Sequence, residues 1–124
     1  MLNSKIPLGV GTDIVDINRF KKRPLKNNSS FYKKIFSDSE IKYCQKFRSP
    51  HEHFAGKFAI KESVIKAISE KISFIDISTT HNKSKPKILL KNELKDKYTF
   101  LASVSHEKNY AISFVIALQN ENTT

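Results

Sequence analysis

The strongest hydrophobic pattern in the chain lies between residues 50 and 69, where apolar side chains recur at helical spacing. Four of them fall on one stripe: Phe54, Phe58, Ile65 and Ile68. This spacing is typical of an amphipathic α-helix that packs on a core. Ser49 and Pro50 precede the stripe as a helix start, because proline at the first helical position loses no hydrogen bond. The pattern therefore predicts a long helix over residues 50–69.

Shorter patterns predict the remaining elements. Ser37 and Glu40 match a capping box, which places a short helix from there to about Phe47. Residues 18–34 are basic and interrupted by a proline, which indicates a short helix, a loop and another helix start. Apolar runs separated by turns at 83–86 and 107–109 predict strands. These runs are residues 6–17, 72–79, 87–90, 100–104 and 110–118.

The order of the elements is one strand, then helices, then several strands. It predicts an α+β fold in which the long helix packs on a mainly antiparallel sheet. A chain of 124 residues fits one domain, which we place at residues 1–118, followed by a polar tail at 119–124. Cys44 is the single cysteine, so disulfide frameworks and Cys-x-x-Cys zinc sites are excluded. We expect it to be a plain buried thiol in a reducing compartment.

The chain carries no signal for a membrane. No apolar run approaches the roughly 20 residues that cross a bilayer, and the N-terminus lacks the apolar stretch of a signal peptide. We therefore expect a cytoplasmic protein, or the mature form of an organelle protein, without a membrane partner. The net charge of +10 attracts polyanions, such as nucleic acid, an anionic surface, a phosphorylated cofactor or an acidic protein. Charge alone does not choose among them, and a coding bias explains part of the lysine content equally well.

The first strand combines glycines with an acid. Gly9 and Gly11 stand in an apolar run, and glycine within a strand often marks the close approach of another backbone or a ligand. Asp13 follows in the same run, where a buried carboxylate needs a partner or a metal. The alternative is an aspartate at a strand end that bonds a nearby turn.

Two further places could carry chemistry. Glu62 and Lys66 share one face of the predicted long helix, where they would hold a metal and a phosphate side by side. The alternative is an ordinary surface pair worth about 0.2–0.5 kcal/mol. His106 ends a predicted strand next to Ser105, either as a donor to phosphate or as a polar turn residue. The other histidines have no paired context: His51, His53 and His81.

Four motifs stand in order along the chain. Residues 9–14 read Gly-Val-Gly-Thr-Asp-Ile, and residues 36–40 read Phe-Ser-Asp-Ser-Glu. Residues 54–67 read Phe-Ala-Gly-Lys-Phe-Ala-Ile-Lys-Glu-Ser-Val-Ile-Lys-Ala, and residues 103–111 read Ser-Val-Ser-His-Glu-Lys-Asn-Tyr-Ala. They resemble, in the same order, the Gly-x-Asp strand, the Phe-[Ser/Thr]-x-x-Glu element, the long-helix signature and the late hairpin of the holo-acyl-carrier-protein synthase family. The match spans nearly the whole chain, and the ordered set is more specific than any one motif.

The resemblance implies a phosphopantetheinyl transferase fold and activity. The enzyme would be Mg²⁺-dependent and would move the 4′-phosphopantetheine group of coenzyme A to a serine of acyl carrier protein, releasing 3′,5′-ADP in support of fatty acid biosynthesis. Asp13 and Glu62 would be the metal ligands, with Glu62 and Lys66 as catalytic residues. Arg19 and Arg23 would dock the acidic carrier. The phosphate groups of coenzyme A would contact Lys57, Lys61, Lys66, Ser105 and His106.

The resemblance also implies a homotrimer in which neighbouring subunits share active sites, so that His106 would serve a neighbour's site. One departure is the stretch Ser69-Glu70-Lys71, where the family usually has glycines, and which places an acid near a phosphate site. Two other interpretations are a basic module that binds RNA or DNA through residues 19–34, and a subunit that keeps the fold without activity. The first does not explain acids in apolar settings, and the second would require a lost ligand residue.

Overall fold

The computed structural model describes residues 8–83 and 85–121, and these ranges contain five strands and four α-helices. Short 3-10 turns connect several of them. The bounds, in chain order, are β1 Leu8–Asp16, α1 Asn18–Lys21, α2 Ser29–Lys33, α3 Asp38–Gln45, α4 Pro50–Ala67, β2 Ile77–Asn82, β3 Lys85–Leu90, β4 Tyr98–His106 and β5 Tyr110–Gln119.

Local sequence signals set the starts of the two longer helices. The Glu40 N–H donates to Ser37 Oγ at 3.2 Å, and the Ser37 N–H donates to Glu40 Oε1 at 2.8 Å. The predicted capping box of α3 is therefore confirmed. Pro50 opens α4 as predicted, but the Ser49 side chain makes no capping hydrogen bond. The long helix ends at Ala67, two residues before the predicted end.

β1, β5 and β4 form an antiparallel sheet in that order, and β2 pairs with β3 in a separate antiparallel hairpin. In this register Asp13 of β1 lies opposite Ser113 of β5, which in turn lies opposite Val104 of β4. α4 packs across the three-stranded sheet. The predicted α+β class, with a long helix on antiparallel strands, is confirmed.

α4 is buried around most of its circumference rather than along one stripe. Eleven of its 18 residues are buried, because the sheet covers one side while α1, α3 and β2 cover others. Phe54 joins an aromatic cluster with Phe20, Tyr32 and Phe36. A helix that is apolar or small on most sides belongs in the interior, so α4 is the centre of the core.

Several strand boundaries differ from the predictions. β2 begins at Ile77 rather than near residue 72, because residues 74–76 form a 3-10 turn. β3 begins at Lys85, which shortens the turn predicted at 83–86. β5 ends at Gln119, and the Asn120 N–H then donates to the carbonyl of Lys97 at 2.8 Å. The ordered chain thus continues past the predicted domain end at 118, while residues 6–7 and 122–124 lie outside the described ranges.

The face of the three-stranded sheet that points away from α4 carries large apolar side chains with no cover from the described residues. Alternate residues of a strand point to the same face, and the side chains concerned are 46% to 64% exposed. We call this the open sheet face: Leu8, Val10, Ile14, Leu101, Tyr110, Ile112 and Phe114. A contiguous patch of exposed large apolar side chains is typical of an interaction surface.

Candidate active site

β1 approaches α4 backbone to backbone, because two glycines face the helix. A Cβ at Gly11 would lie 2.8 Å from the carbonyl carbon of Ser63, and one at Gly9 would lie 2.9 Å from the carbonyl carbon of Ala67. Any larger residue would clash with main-chain atoms. The close approach predicted from these glycines is therefore to the helix backbone, and it sets Asp13, two residues further on the same strand face, beside α4.

Asp13 and Lys66 meet on this flank of α4. Lys66 Nζ lies 3.1 Å from Asp13 Oδ1 and donates to the carbonyl oxygen of Thr12 at 3.0 Å. The Asp13 side chain is 16% exposed and that of Lys66 is 52% exposed, so the pair lies at the surface rather than in the core. Glu62 lies one helical turn before Lys66 on the same helix face. The structure thus brings together the three side chains predicted to bind metal and pyrophosphate.

The surroundings of Glu62 disfavour its ionised form, which a bound cation would stabilise. Burial raises the pKa of Glu62, and the Asp13 carboxylate raises it further, while Lys66 and Arg19 oppose the rise. No group of three or more His, Cys, Asp or Glu side chains within residues 8–83 and 85–121 could hold a metal ion. A metal at this place would therefore have two protein ligands and take its other ligands from water or substrate, which suits Mg²⁺.

A cavity of about 490 Å³ opens beside Glu62, with aromatic and basic walls. The Arg19 guanidinium lies 5.5 Å from the centre of the Phe58 ring, and that of Arg23 lies 4.8 Å from the Phe31 ring. Contacts of this kind attract a cation to the face of an aromatic ring. Both predicted carrier-docking residues thus border the same cavity as Glu62.

Lys61 is occupied by internal partners. Its side chain is fully buried, and Nζ donates to the carbonyl oxygens of Ile35 at 2.7 Å and Phe74 at 3.0 Å. Its third donor pairs with the Glu40 carboxylate at 2.8 Å. An ammonium has three donors, and all three are used. The predicted contact between Lys61 and a phosphate therefore does not fit this arrangement, and Lys61 instead ties α4 to α3 and to the loop before β2.

Glu40 completes this buried network. Its second carboxylate oxygen accepts hydrogen bonds from the Thr79 N–H at 2.8 Å and from Thr79 Oγ1 at 2.7 Å. Burial alone would raise the pKa of Glu40, but the charge of Lys61 and the hydrogen bonds from Lys61, Thr79 and Ser37 outweigh burial and lower it. The carboxylate is therefore ionised at neutral pH and holds α3, α4 and β2 together.

Lys57 and His106 border a second cavity, of about 320 Å³. Lys57 Nζ donates to the carbonyl oxygen of Thr79 at 3.1 Å and to Thr79 Oγ1 at 2.9 Å, which leaves one of its three donors. Burial lowers the pKa of Lys57. His106 Nδ1 lies 3.7 Å from the Glu52 carboxylate. These two predicted phosphate-binding residues therefore share one space.

This second cavity is separate from the acidic cluster. Lys57 and Glu62 are five positions apart on α4, a rotation of roughly 140° about the helix axis, and no residue borders both cavities. His106 lies on β4, two strands away from Asp13 on β1. Ser105 points to the open sheet face, opposite to its neighbour in sequence. One chain alone therefore does not bring Lys57 and His106, which are predicted to bind phosphate, to Asp13 and Glu62, which are predicted to bind metal.

Three side chains of the second cavity were not predicted from the sequence: Tyr43, His53 and His81. The His81 ring stacks on the Tyr43 ring with centroids 4.7 Å apart, and the His53 ring lies 5.8 Å from the His106 ring. These three residues belong to α3, α4 and β2, so only tertiary packing brings them together and no local pattern marks them. His51 borders a different cavity from His53, as expected for histidines two positions apart on a helix.

Two other predictions concern single side chains. Glu70, the acid of the stretch where the resemblance implies glycines, pairs with Lys97 and accepts a hydrogen bond from the Tyr98 hydroxyl at 2.6 Å. These two hydrogen bonds lower the pKa of Glu70 to about 2, so Lys97 offsets its charge. Cys44 is fully buried, and burial raises its pKa to about 12. The prediction of a plain buried thiol is confirmed.

Comparison with known proteins identifies the family of this chain. Residues 9–115 match the model of the 4′-phosphopantetheinyl transferase superfamily. A holo-[acyl-carrier-protein] synthase from Thermodesulfovibrio yellowstonii is 38% identical over 111 residues, covering 87% of this chain and 96% of the relative. The solved structure of the Helicobacter pylori holo-[acyl-carrier-protein] synthase in complex with coenzyme A has a TM-score of 0.75 at 33% identity, covering 87% and 98% of the two chains. The Plasmodium yoelii holo-ACP-synthase has a TM-score of 0.74 at 26% identity, covering 91% and 95%.

The chain therefore belongs to the 4′-phosphopantetheinyl transferase superfamily, in its holo-[acyl-carrier-protein] synthase family. The resemblance found in the four sequence motifs is thereby confirmed, and with it the enzyme class. No helix in the described part of the chain is both long enough and apolar enough to cross a bilayer.

Proposed function

We propose that this chain transfers the 4′-phosphopantetheine group of coenzyme A to the serine hydroxyl of apo acyl carrier protein, with Mg²⁺ as cofactor and 3′,5′-ADP as the second product. Family membership supports the reaction class. The observation that carries the proposal is the meeting of Asp13, Glu62 and Lys66 beside a cavity with arginine walls. This cluster offers two carboxylates to a cation and an ammonium to a diphosphate.

Asp13 and Glu62 would hold Mg²⁺, which when bound would stabilise negative charge on the transferred phosphate. The raised pKa of Glu62 supports this role, because a nearby cation favours the ionised carboxylate. Without a bound cation or substrate, Lys66 forms an ion pair with Asp13. Once a cation offsets the charge of Asp13, the half-exposed Lys66 ammonium can turn to the pyrophosphate of coenzyme A.

The transfer then proceeds by charge stabilisation. The serine oxygen attacks the β-phosphorus, the bond from that phosphorus to the bridging oxygen breaks, and 3′,5′-ADP leaves. The serine proton passes to a base, which is either a carboxylate of the site or a water molecule. Lys66 offsets the charge that develops on the bridging oxygen. Lys57 and His106 hold the 3′-phosphate and so keep the leaving nucleotide in position.

Arg19 and Arg23 would dock the acidic carrier protein. Both guanidinium groups are held over aromatic rings at the rim of the cavity that Glu62 borders. A carrier bound there would present its serine close to the acidic cluster. The net charge of +10 would steer an acidic partner to this surface, and such steering weakens as salt concentration rises.

A homotrimer would complete each site. The acidic cluster and the pair of Lys57 and His106 lie apart on one chain, so a single coenzyme A molecule would reach both sets where two chains meet. The open sheet face supplies an apolar surface that association would cover. We therefore propose that Asp13, Glu62 and Lys66 of one subunit act with Lys57 and His106 of a neighbouring subunit.

The transfer is tested by mixing the purified chain with coenzyme A, Mg²⁺ and apo acyl carrier protein, and weighing the carrier by mass spectrometry. We expect the carrier to gain one phosphopantetheine group, and the gain to disappear when a chelator removes the metal. Salt-sensitive binding to RNA or DNA without any gain in mass would favour the basic nucleic-acid module instead.

We place the enzyme in the cytoplasm, in keeping with its unpaired, buried Cys44.

Shared sites are tested by mixing two inactive variants, Asp13→Ala and His106→Ala, under conditions that exchange subunits. In a mixed trimer some sites combine an intact Asp13 with an intact His106 from the neighbour. Random mixing would restore about one quarter of the sites in a ring with head-to-tail contacts. If the mixture stays as inactive as its components although subunits exchange, each site belongs to one chain.

A further inference from the structure

A further cavity of about 380 Å³ adjoins the second cavity, which Lys57 and His106 border. The two cavities share Tyr43, Lys57 and His81 in their walls, and Lys42 and Lys46 border the outer one. We call the joined space the histidine groove, defined by Tyr43, His53, Lys57, His81 and His106. Glu52 is the one carboxylate among the residues that border these two cavities, so the groove favours an anion.

Two imidazoles of the groove lie flat on aromatic rings. His81 stacks on Tyr43 with 5° between the ring planes, and His53 stacks on Phe47 with centroids 3.6 Å apart and 17° between the planes. Because an aromatic face attracts a cation, these positions suit an imidazolium as well as a neutral ring. Nδ1 of His81 is buried and has no hydrogen-bond partner in the described part of the chain. A buried polar atom of this kind calls for a ligand or a water molecule.

Without a ligand, the surroundings of His53 and His81 favour the neutral imidazole at neutral pH. Burial lowers the pKa of His53, and His106 and Lys57 lower it further against the opposing charge of Glu52. Burial also lowers the pKa of His81, with Lys57 and His53 acting in the same direction. Like charge and burial are the causes, so a ligand that carries two negative charges into the groove would favour the protonated rings.

We propose that His53 and His81 are ligand-binding residues that take up a proton from the solvent when a phosphomonoester dianion enters the histidine groove. This rests on the proposed function, in which Lys57 and His106 hold the 3′-phosphate of coenzyme A. The proton comes from the buffer, and no bond to phosphorus forms or breaks. The protonated ring donates a charge-assisted hydrogen bond to a phosphate oxygen. A pKa rise of one unit on binding corresponds to about a tenfold coupling, so coenzyme A binds more tightly as pH falls from about 8 to about 6.

The direct test compares coenzyme A with dephospho-coenzyme A, which lacks the 3′-phosphate. Calorimetric titrations near neutral pH, in two buffers with different heats of ionisation, measure the protons taken up on binding. We expect net uptake with coenzyme A and markedly less with dephospho-coenzyme A. Equal uptake with both ligands, or none with either, would overturn the proposal without recourse to any variant.

Variants then assign the uptake to residues. The double variant His53→Gln with His81→Gln should lose most of the proton uptake and bind coenzyme A up to about tenfold more weakly at pH 6 than the unmodified chain. His51→Gln is the matched control, because His51 lies on the same helix but borders a different cavity. A double variant that melts normally and keeps the full uptake would overturn the proposal.

The carrier assay keeps the two proposals apart. If phosphopantetheine is transferred at pH 8 but coenzyme A binds without proton uptake, the inference about His53 and His81 is wrong and the proposed function stands. If coenzyme A binds with proton uptake but no carrier gains mass, the groove is a phosphomonoester site and the proposed function is wrong. Failure of coenzyme A to bind at all would overturn both.

Discussion

Replacing Gly11 with alanine would push β1 away from α4. The added Cβ would stand 2.8 Å from the carbonyl carbon of Ser63 and 3.1 Å from its Cα, and nearer still to the carbonyl oxygen. Main-chain atoms cannot rotate aside as a side chain does, so the strand must shift by roughly 1 Å to approach ordinary carbon contacts of about 3.5–4.0 Å. Overpacking of this kind costs about 1–3 kcal/mol of stability.

Asp13 would move with the strand, because it lies two residues after Gly11. A displacement of about 1 Å in a catalytic constellation can lower a rate about 100-fold. We therefore expect Gly11→Ala to transfer phosphopantetheine about 100-fold more slowly. The melting temperature should fall by about 2–8 °C for each kcal/mol of lost stability.

Mass spectrometry of the carrier measures the rate, and circular dichroism on heating measures the melting temperature. Gly56→Ala is the matched stability control, since a Cβ there would meet Val104 Cγ2 at an ordinary 3.5 Å. Alanine is also the better helix former by about 1 kcal/mol, so this control should melt at the same temperature as the unmodified chain or higher. A Gly11→Ala protein with the unmodified rate and melting temperature would refute the argument that backbone contact positions Asp13.

Four further outcomes are expected. Asp13→Ala and Glu62→Ala should each abolish transfer in the carrier assay while melting within a few degrees of the unmodified chain, and full activity in either one would remove the metal assignment. Lys61→Met should lower the free energy of unfolding by about 3–5 kcal/mol in denaturant titrations, because it leaves the Glu40 carboxylate buried without its cation; adding Glu40→Gln should restore part of the loss. Because the folded-state pKa of Glu40 lies below its ordinary value of 4.5, its ionised form stabilises the fold above about pH 4.5, and this stabilisation is lost as pH falls through the lowered pKa. Acid unfolding that is equally steep in Glu40→Gln and in the unmodified chain would contradict this. Phe114→Lys, on the open sheet face, should disrupt the proposed homotrimer and shift the sedimenting mass from three chains toward one; a mass that stays at three chains would place the subunit contact elsewhere.

Features that depend on neighbours in sequence could be predicted from the sequence. The capping box at Ser37 and Glu40 needs only four consecutive residues, and the start of α4 at Pro50 needs only the residue itself. The glycines at 9 and 11 also carried a correct signal, because their lack of a side chain is informative wherever the approaching backbone comes from. The family resemblance then predicted that Asp13 and Glu62 are metal ligands, a role that the local patterns alone had left open.

Features that depend on packing could not be predicted in this way. Lys61 looked like a phosphate ligand because its family motif marks it, but its partner Glu40 lies 21 positions away on another helix. His53 and His81 lie on different elements, and tertiary packing places both rings next to the Tyr43 ring. The sequence pattern predicted that α4 buries only one apolar stripe. In the structure other elements cover α4 on several sides, so its small and charged residues also belong to the core. In each case the missing information was which elements pack together.

Because the acidic cluster lies apart from Lys57 and His106 along α4, the activity of each chain would depend on the protein concentration. If each working site is assembled from two chains, the rate per chain falls once the protein concentration drops below the dissociation constant of the assembly. A cell that makes little of this protein would then lose activity more steeply than in proportion to its abundance. Expression level, rather than any added inhibitory ligand, would set a threshold for carrier activation.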